Sequence, residues 1–208
     1  MWVILPIKKL SGAKRRLSAQ LNPQQRIELS RLMFADILGV LEAEQTVQGI
    51  TVISSERSLM QLVGHEKTAF MLLHQDNGYA EDSMTALNAL SDKESSEILI
   101  LPADIPQLDA TDLQQLKRLH RGGLTLCPAA ADGGTNAVLF TRPLPLPLWF
   151  GPDSFDRYCT AATKEDVRLN IARLPNIQHD IDREADLHWL SQQPAGKQSW
   201  SYIRTLMA

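Results

Sequence analysis

Apolar positions in this chain come in two kinds of series that take turns. Trp2-Val3-Ile4-Leu5, Ile50-Thr51-Val52-Ile53, Ala69-Phe70-Met71-Leu72-Leu73, Ile98-Leu99-Ile100-Leu101 and Leu124-Thr125-Leu126-Cys127-Pro128 are short runs without polar alternation, the pattern of strands covered on both faces. Between them the spacing changes to that of a helix. Leu29, Met33, Ile37 and Val40, widened by Leu32 and Leu41, make one apolar face that runs to about Glu44. Asn22 before Pro23, with Gln25 behind, predicts a capped start for that helix. Shorter helices are predicted over Glu56 to Val63, Tyr79 to Leu90 and, capped by Asp109, Asp112 to His120, with a polar loop from Ser91 to Glu97.

Strand and helix therefore alternate, which predicts an α/β fold: a Rossmann-like, doubly wound, mostly parallel mixed sheet with helices on both faces. The later chain continues the pattern. Ala137-Val138-Leu139-Phe140 reads as a strand after Gly133-Gly134, the proline-rich stretch from Pro143 to Pro147 as a rigid connector, and Phe155 to Thr163 as a helix capped by Asp153 or Ser154. Val167 to Leu174 reads as a last long strand and Arg183 to Leu190 as a final helix. One domain over residues 1–190 is expected, followed by a polar tail, 191–208, with little to fix it beyond Trp200, Tyr202 and Ile203.

Charge and composition narrow the setting. The 208 residues carry 21 Lys plus Arg against 24 Asp plus Glu, a balance that points to no nucleic-acid or membrane partner. No apolar run approaches the roughly 20 residues of a membrane span, and the first apolar run is too short for a signal peptide. Two distant cysteines, Cys127 and Cys159, fit a reduced cytoplasmic protein with both thiols packed as small apolar groups.

Candidate chemistry collects at the predicted strand ends, the ligand edge of such sheets. Five cations in nine residues, Lys8, Lys9, Lys14, Arg15 and Arg16, follow the first strand around Gly12, and wrap a polyphosphate or form a solvated turn. Asp104 in Leu101-Pro102-Ala103-Asp104-Ile105-Pro106 stands after the central strand, as a metal ligand or a turn cap. Gly133-Gly134-Thr135-Asn136 is a hairpin turn or a binding turn, and Gly151 with Ser154 an anion site or a helix cap. Asp180 and Asp182 are two apart, so extended backbone puts both carboxylates on one side, where either a hard cation such as Mg²⁺ offsets their repulsion or they serve as turn caps. Cations for a triphosphate plus carboxylates for Mg²⁺ describe nucleotidyl transfer, which needs positioning and charge neutralisation more than a side-chain nucleophile.

Five motifs in this order resemble the CofC family: Pro6-x-Lys8-x-Leu10-x-x-Ala13-Lys14-x-Arg16-Leu17, Leu101-Pro102-Ala103-Asp104-Ile105-Pro106, Gly133-Gly134-Thr135-Asn136, Phe150-Gly151-Pro152-x-Ser154-Phe155 and Asp180-x-Asp182-x-x-x-Asp186-Leu187. These are guanylyltransferases that use GTP to activate 2-phospho-L-lactate, or phosphoenolpyruvate in the bacterial branch, during biosynthesis of the deazaflavin coenzyme F-420. The chain is more broadly similar to the nucleotide-diphosphosugar transferases. The resemblance implies that Lys8, Lys14 and Arg16 hold the GTP phosphates and the attacking phosphate, and that Asp104, Asp180 and Asp182 ligate Mg²⁺. It implies a seat for the phosphorylated three-carbon acid at Thr135, Asn136, Gly151 and Ser154, and it suggests a homodimer. The sequence departs from the family at Ala86-Leu87-Asn88, where the family has Gly-Leu-Asn near the nucleotide, so a Cβ is expected where backbone should approach the base. Another base or acceptor, and a non-catalytic nucleotide-binding relative, are the competing readings.

Overall fold

The computed structural model describes residues 1–91 and 95–207, so part of the loop expected from Ser91 to Glu97, at 92–94, lies outside the described residues, as does the last residue of the tail. Among the described residues, seven strands form one sheet: β1 (Trp2–Ile7), β2 (Gly49–Ser54), β3 (Thr68–Leu72), β4 (Glu97–Ile100), β5 (Leu124–Pro128), β6 (Thr135–Thr141) and β7 (Leu169–Ile171). They lie in the order β3-β2-β1-β4-β6-β5-β7. The pairs β1–β2, β2–β3, β1–β4 and β5–β7 are parallel, and β6 runs antiparallel to both β4 and β5. Successive strands leave β1 in opposite directions, which opens a crevice at the carboxyl ends of β1 and β4, where such sheets hold ligands.

Seven helices accompany the sheet in the described chain: α1 (Pro23–Ala43), α2 (Tyr79–Ala89), α3 (Ala110–Leu119), α4 (Ser154–Lys164), α5 (Pro175–Gln178), α6 (Glu184–Ser191) and α7 (Gln198–Leu206). None is long and apolar enough to cross a membrane. The period-2 alternation of the strands sends side chains to two cores. Val3, Leu5, Ile50, Val52, Leu99 and Leu139 pack under Phe34, Ile37 and Leu41 of α1 and Leu113 and Leu116 of α3. Ile4, Ile98, Ile100, Val138 and Phe140 face Ala86 and Leu87 of α2 and Tyr158 and Ala162 of α4. Helices on both faces follow from that division.

The start of α1 is as the sequence predicts, with Asn22 accepting from the Gln25 N–H and the Gln25 side chain accepting from Asn22. Asp109 and Asp112 cap α3 in the same reciprocal way. The predicted helix over Glu56 to Val63 is a 3-10 helix, Arg57–Leu62. Two expectations are corrected. The long strand expected over Val167 to Leu174 is only β7, and Pro175 then opens α5, because proline donates nothing to a ladder and suits a first helical turn.

The C-terminal stretch is also no loose tail. It forms α7, and Ile203 joins Leu187 and Leu190 of α6, Leu17, Leu21, and Leu29 and Met33 of α1 in a third buried cluster. Lys197, at the cap position of α7, provides no side-chain acceptor. Asp36 of α1 supplies it instead, accepting from the N–H groups of Gln198 at 2.8 Å and Ser199 at 2.9 Å and from the Ser199 hydroxyl. Asp36→Ala is therefore expected to lower the unfolding free energy by about 2 kcal/mol, a large cost for a helix cap because the Ser199 donors are left buried. Urea titration of the two proteins measures it.

Candidate active site

The crevice at the ends of β1 and β4 is a cavity of about 570 Å³. Its wall is the whole basic segment from Lys8 to Arg16, with Asp76, Tyr79, Pro102, Ala103, Asp104 and Asp182 opposite. The basic segment folds as two 3-10 turns, Leu10–Gly12 and Arg15–Leu17. Carboxylates from neighbouring strand ends hold it, Asp76 accepting from the Lys9 N–H at 2.8 Å and Glu56 from the Leu10 N–H at 3.3 Å. The N–H groups of Gly12 and Ala13 are taken by the first turn. These four backbone donors are already used, and the cationic side chains of the segment line the cavity.

Lys14 lies between the two 3-10 turns with φ 52° and ψ 41°, a left-handed conformation that disfavours a side chain. That backbone turns the ammonium inward. Its Nζ donates to Asp104 Oδ2 at 2.6 Å and to Asp182 Oδ1 at 2.7 Å, and the side chain is only 8% exposed. Arg16, at the surface, donates to the other Asp182 oxygen at 3.0 Å. Burial opposes the charge on Lys14, but the attraction of the two aspartates and their hydrogen bonds outweighs it and holds the amine above its usual range.

Asp104 hangs from the strand-to-loop junction after β4, where its own carbonyl accepts from the Ile181 N–H at 3.0 Å. That bond fixes the residue between Asp180 and Asp182 against the central strand, and Ile181 is fully buried. One oxygen each of Asp104, Asp180 and Asp182 lies within 4.8 Å of the others. Asp186, in the first turn of α6, accepts from the N–H groups of Asp182 and Arg183 and pairs with His179 at 3.1 Å, whose ring stacks on Trp189. Among the described residues, no cation pairs with Asp180. Burial and then the charge of Asp104, joined by that of Asp182, push its carboxyl up against the opposing hydrogen bond from the Asn136 amide at 3.2 Å.

The remaining expected residues gather one step away. Asn136, in β6, also donates to the carbonyls of Ile177 and Gln178, so it ties that strand to the loop carrying Asp180. Thr135 and Ser154 are buried and share a hydrogen bond of 3.1 Å between their hydroxyls. Gly151, exposed at φ 88°, turns the chain into α4. None of Thr135, Asn136, Gly151 and Ser154 lines the 570 Å³ cavity. The expected side-chain cap on α4 is corrected: Asp153, at φ 59°, makes no capping bond, and the Phe155 N–H goes to the carbonyl of Gly133 instead. The Gly133-Gly134 turn thus both closes the β5–β6 hairpin and docks the start of α4.

Sequence reasoning passed over Asp76 and read Tyr79 only as a helix start. Their position just after β3, on the ligand edge of a parallel sheet, was the available signal. At the Ala86-Leu87-Asn88 departure, Ala86 of α2 is fully buried in the core and does not line this cavity.

The family profile described as Guanylyl transferase CofC like matches residues 1–208. The chain belongs to that family. It is 36% identical over 200 residues to a phosphoenolpyruvate guanylyltransferase of Roseiflexus castenholzii, covering 93% of this chain and 89% of the relative. A 3-phospho-D-glycerate guanylyltransferase of Colwellia psychrerythraea is 28% identical, covering 91% and 90%, and a 2-phospho-L-lactate guanylyltransferase of Methanothermobacter thermautotrophicus 26%, covering 98% and 89%. Among solved structures, a nucleotidyl transferase of Methanothermobacter thermautotrophicus shares the fold with a TM-score of 0.64 at 15% identity, covering 98% of each chain.

An acid whose pKa is raised by folding contributes stability below its unfolded pKa and loses it as pH rises through the folded value. Ionised Asp180 therefore destabilises the fold at neutral pH, and Asp180→Asn keeps an acceptor for Asn136 without the charge. Without added divalent ions, Asp180→Asn is expected to melt above the wild type at pH 7 to 8, with the gap closing as pH falls into the carboxylate range; calorimetry across that span checks it.

Proposed function

We propose that this guanylyltransferase transfers GMP from GTP to a phosphorylated three-carbon acid and releases pyrophosphate, as a step in the making of coenzyme F-420. The observation that carries the reading is the join of Lys14, Asp104 and Asp182 at the edge of a cation-lined cavity, with Asp180 beside it and, among the described residues, without a cation of its own. An all-oxygen set of three carboxylates suits a hard divalent cation, and the raised Asp180 carboxyl is a ligand waiting for more positive charge than Asn136 provides. Asp104, Asp180 and Asp182 would hold Mg²⁺, which when bound neutralises phosphate charge and orients donor and acceptor.

The chain's own groups do the rest. Lys8 and Arg16, exposed on the cavity wall, bind the triphosphate, and Lys14 keeps a positive charge beside the carboxylates where charge moves toward the leaving pyrophosphate. Thr135 and Ser154, which hold each other's hydroxyls in place, and the open backbone at Gly151 seat the acid, while Asn136 keeps that seat in register with Asp180. An oxygen of the acceptor phosphate attacks the α-phosphorus in line and the bond to pyrophosphate breaks; the acceptor is already ionised, so no side chain has to remove a proton. Relatives named for phosphoenolpyruvate, 3-phospho-D-glycerate and 2-phospho-L-lactate support a three-carbon acid without choosing among them. The family resemblance supports a homodimer, and two free cysteines far apart in the sequence support a reducing, cytoplasmic setting.

Pyrophosphate release from GTP and Mg²⁺ with each of the three acids tests the reading. Release with at least one acid is expected; none with any of them at high enzyme concentration rejects it, and tight GTP binding without release identifies a non-catalytic relative. Asp104→Asn is expected to lower the rate by at least about a hundredfold, the scale of losing a fixed charge at a reacting phosphate. Cys127→Ala should change it less than about twofold, because burial pushes that thiol up to about 12 and leaves it an inert core group.

A further inference from the structure

Tyr79 opens α2 at the wall of the 570 Å³ cavity, and its hydroxyl is fully buried without a hydrogen-bond partner. Buried polar side chains are nearly always paired, so each exception calls for a cause. The other such atoms among the described residues belong to Arg26, Thr46, Gln107 and Trp200, none of which lines this cavity. Tyr79 alone combines an unmet hydroxyl with a wall that faces cationic side chains and Asp104.

Its ring has little freedom to turn elsewhere. Phe150 packs edge-on against it with centroids 4.6 Å apart, and the Tyr79 carbonyl is held by the Ser83 hydroxyl at 2.6 Å. Burial, then the nearby charge of Asp104, drives the phenol well above its usual pKa, so at neutral pH the group is a donor. A buried donor beside a carboxylate that would hold Mg²⁺, on the wall of a cavity lined by cationic side chains, matches one ligand chemistry, an anionic phosphate oxygen.

We propose that the Tyr79 hydroxyl donates a hydrogen bond to the phosphate chain of the nucleotide held beside Asp104, which makes Tyr79 a substrate-contacting residue of this site. The inference rests on the reading of the cavity as the nucleotide site. Through Phe150, which directly precedes Gly151, the same side chain also links that cavity to the segment proposed to seat the acid.

Tyr79→Phe keeps the ring and the Phe150 contact and removes only the hydroxyl. Without ligand the variant is expected to be at least as stable as the wild type to urea, since it loses an unpaired buried group. Its affinities for GTP with Mg²⁺ and for inorganic tripolyphosphate, read by calorimetric titration, are both expected to fall about tenfold, as is kcat/KM. Wild-type affinity for both ligands overturns the proposal, and so does a loss for GTP with tripolyphosphate unchanged, which assigns the hydroxyl to base or ribose. A less stable unliganded variant with unchanged ligand affinities makes Tyr79 structural and overturns it as well. If the wild type itself neither binds nor consumes GTP, the nucleotide reading fails first and the inference falls with it.

Discussion

One buried ammonium holds together three loops that are far apart in the chain. Lys14 reaches Asp104, 90 residues on, and Asp182, 168 residues on, and through them joins the segments after β1, β4 and α5 at the switch point of the sheet. The arrangement depends on a strained backbone: the left-handed conformation of Lys14 is what aims the amine inward rather than to solvent, at a cost of about 1 kcal/mol for a residue with a side chain. Two carboxylates brought this close repel one another strongly, and the ammonium between them makes their approach tolerable in a site only partly open to water.

The neutralisation is incomplete. Asp104 and Asp182 share the charge of Lys14, whereas Asp180 accepts from the Asn136 amide and its own backbone, and its carboxyl is pushed up by burial and by its neighbours. The Tyr79 hydroxyl stands in the same position among neutral groups, buried and unpaired at the wall. Both features make the unliganded fold less stable than it need be and leave specific capacity for positive charge and for an acceptor oxygen. In the proposed function a phosphate chain with a divalent cation would supply both together, so that stability withheld from the empty protein would reappear as binding.

The scaffold around this site is redundant by comparison. The strand cores, the reciprocal caps on α1 and α3 and the alternation of side chains between the two faces are each supported by many residues, and no one of them selects a chemistry. The site instead rests on a few tertiary bonds, among them the Ile181 N–H on the Asp104 carbonyl and the Asp182 N–H on Asp186. These fix where the carboxylates point.

The sequence by itself determined the sheet, the helices on both faces and the identity of the residues at the strand ends, because strand runs, helical spacing and caps are local signals of 4 to 20 residues read along one segment. It also carried the motifs that place the chain in its family. Only the tertiary structure decided which strand-end residues meet. It put Lys14, Asp104, Asp180 and Asp182 together and kept Thr135 and Ser154 outside the cavity wall, folded the last residues into α7 on a cap borrowed from Asp36, and sank Ala86 into a core. Each of these outcomes depends on partners scores of residues away, or on the direction in which a backbone turns a side chain, and neither leaves a periodic or compositional trace in the chain.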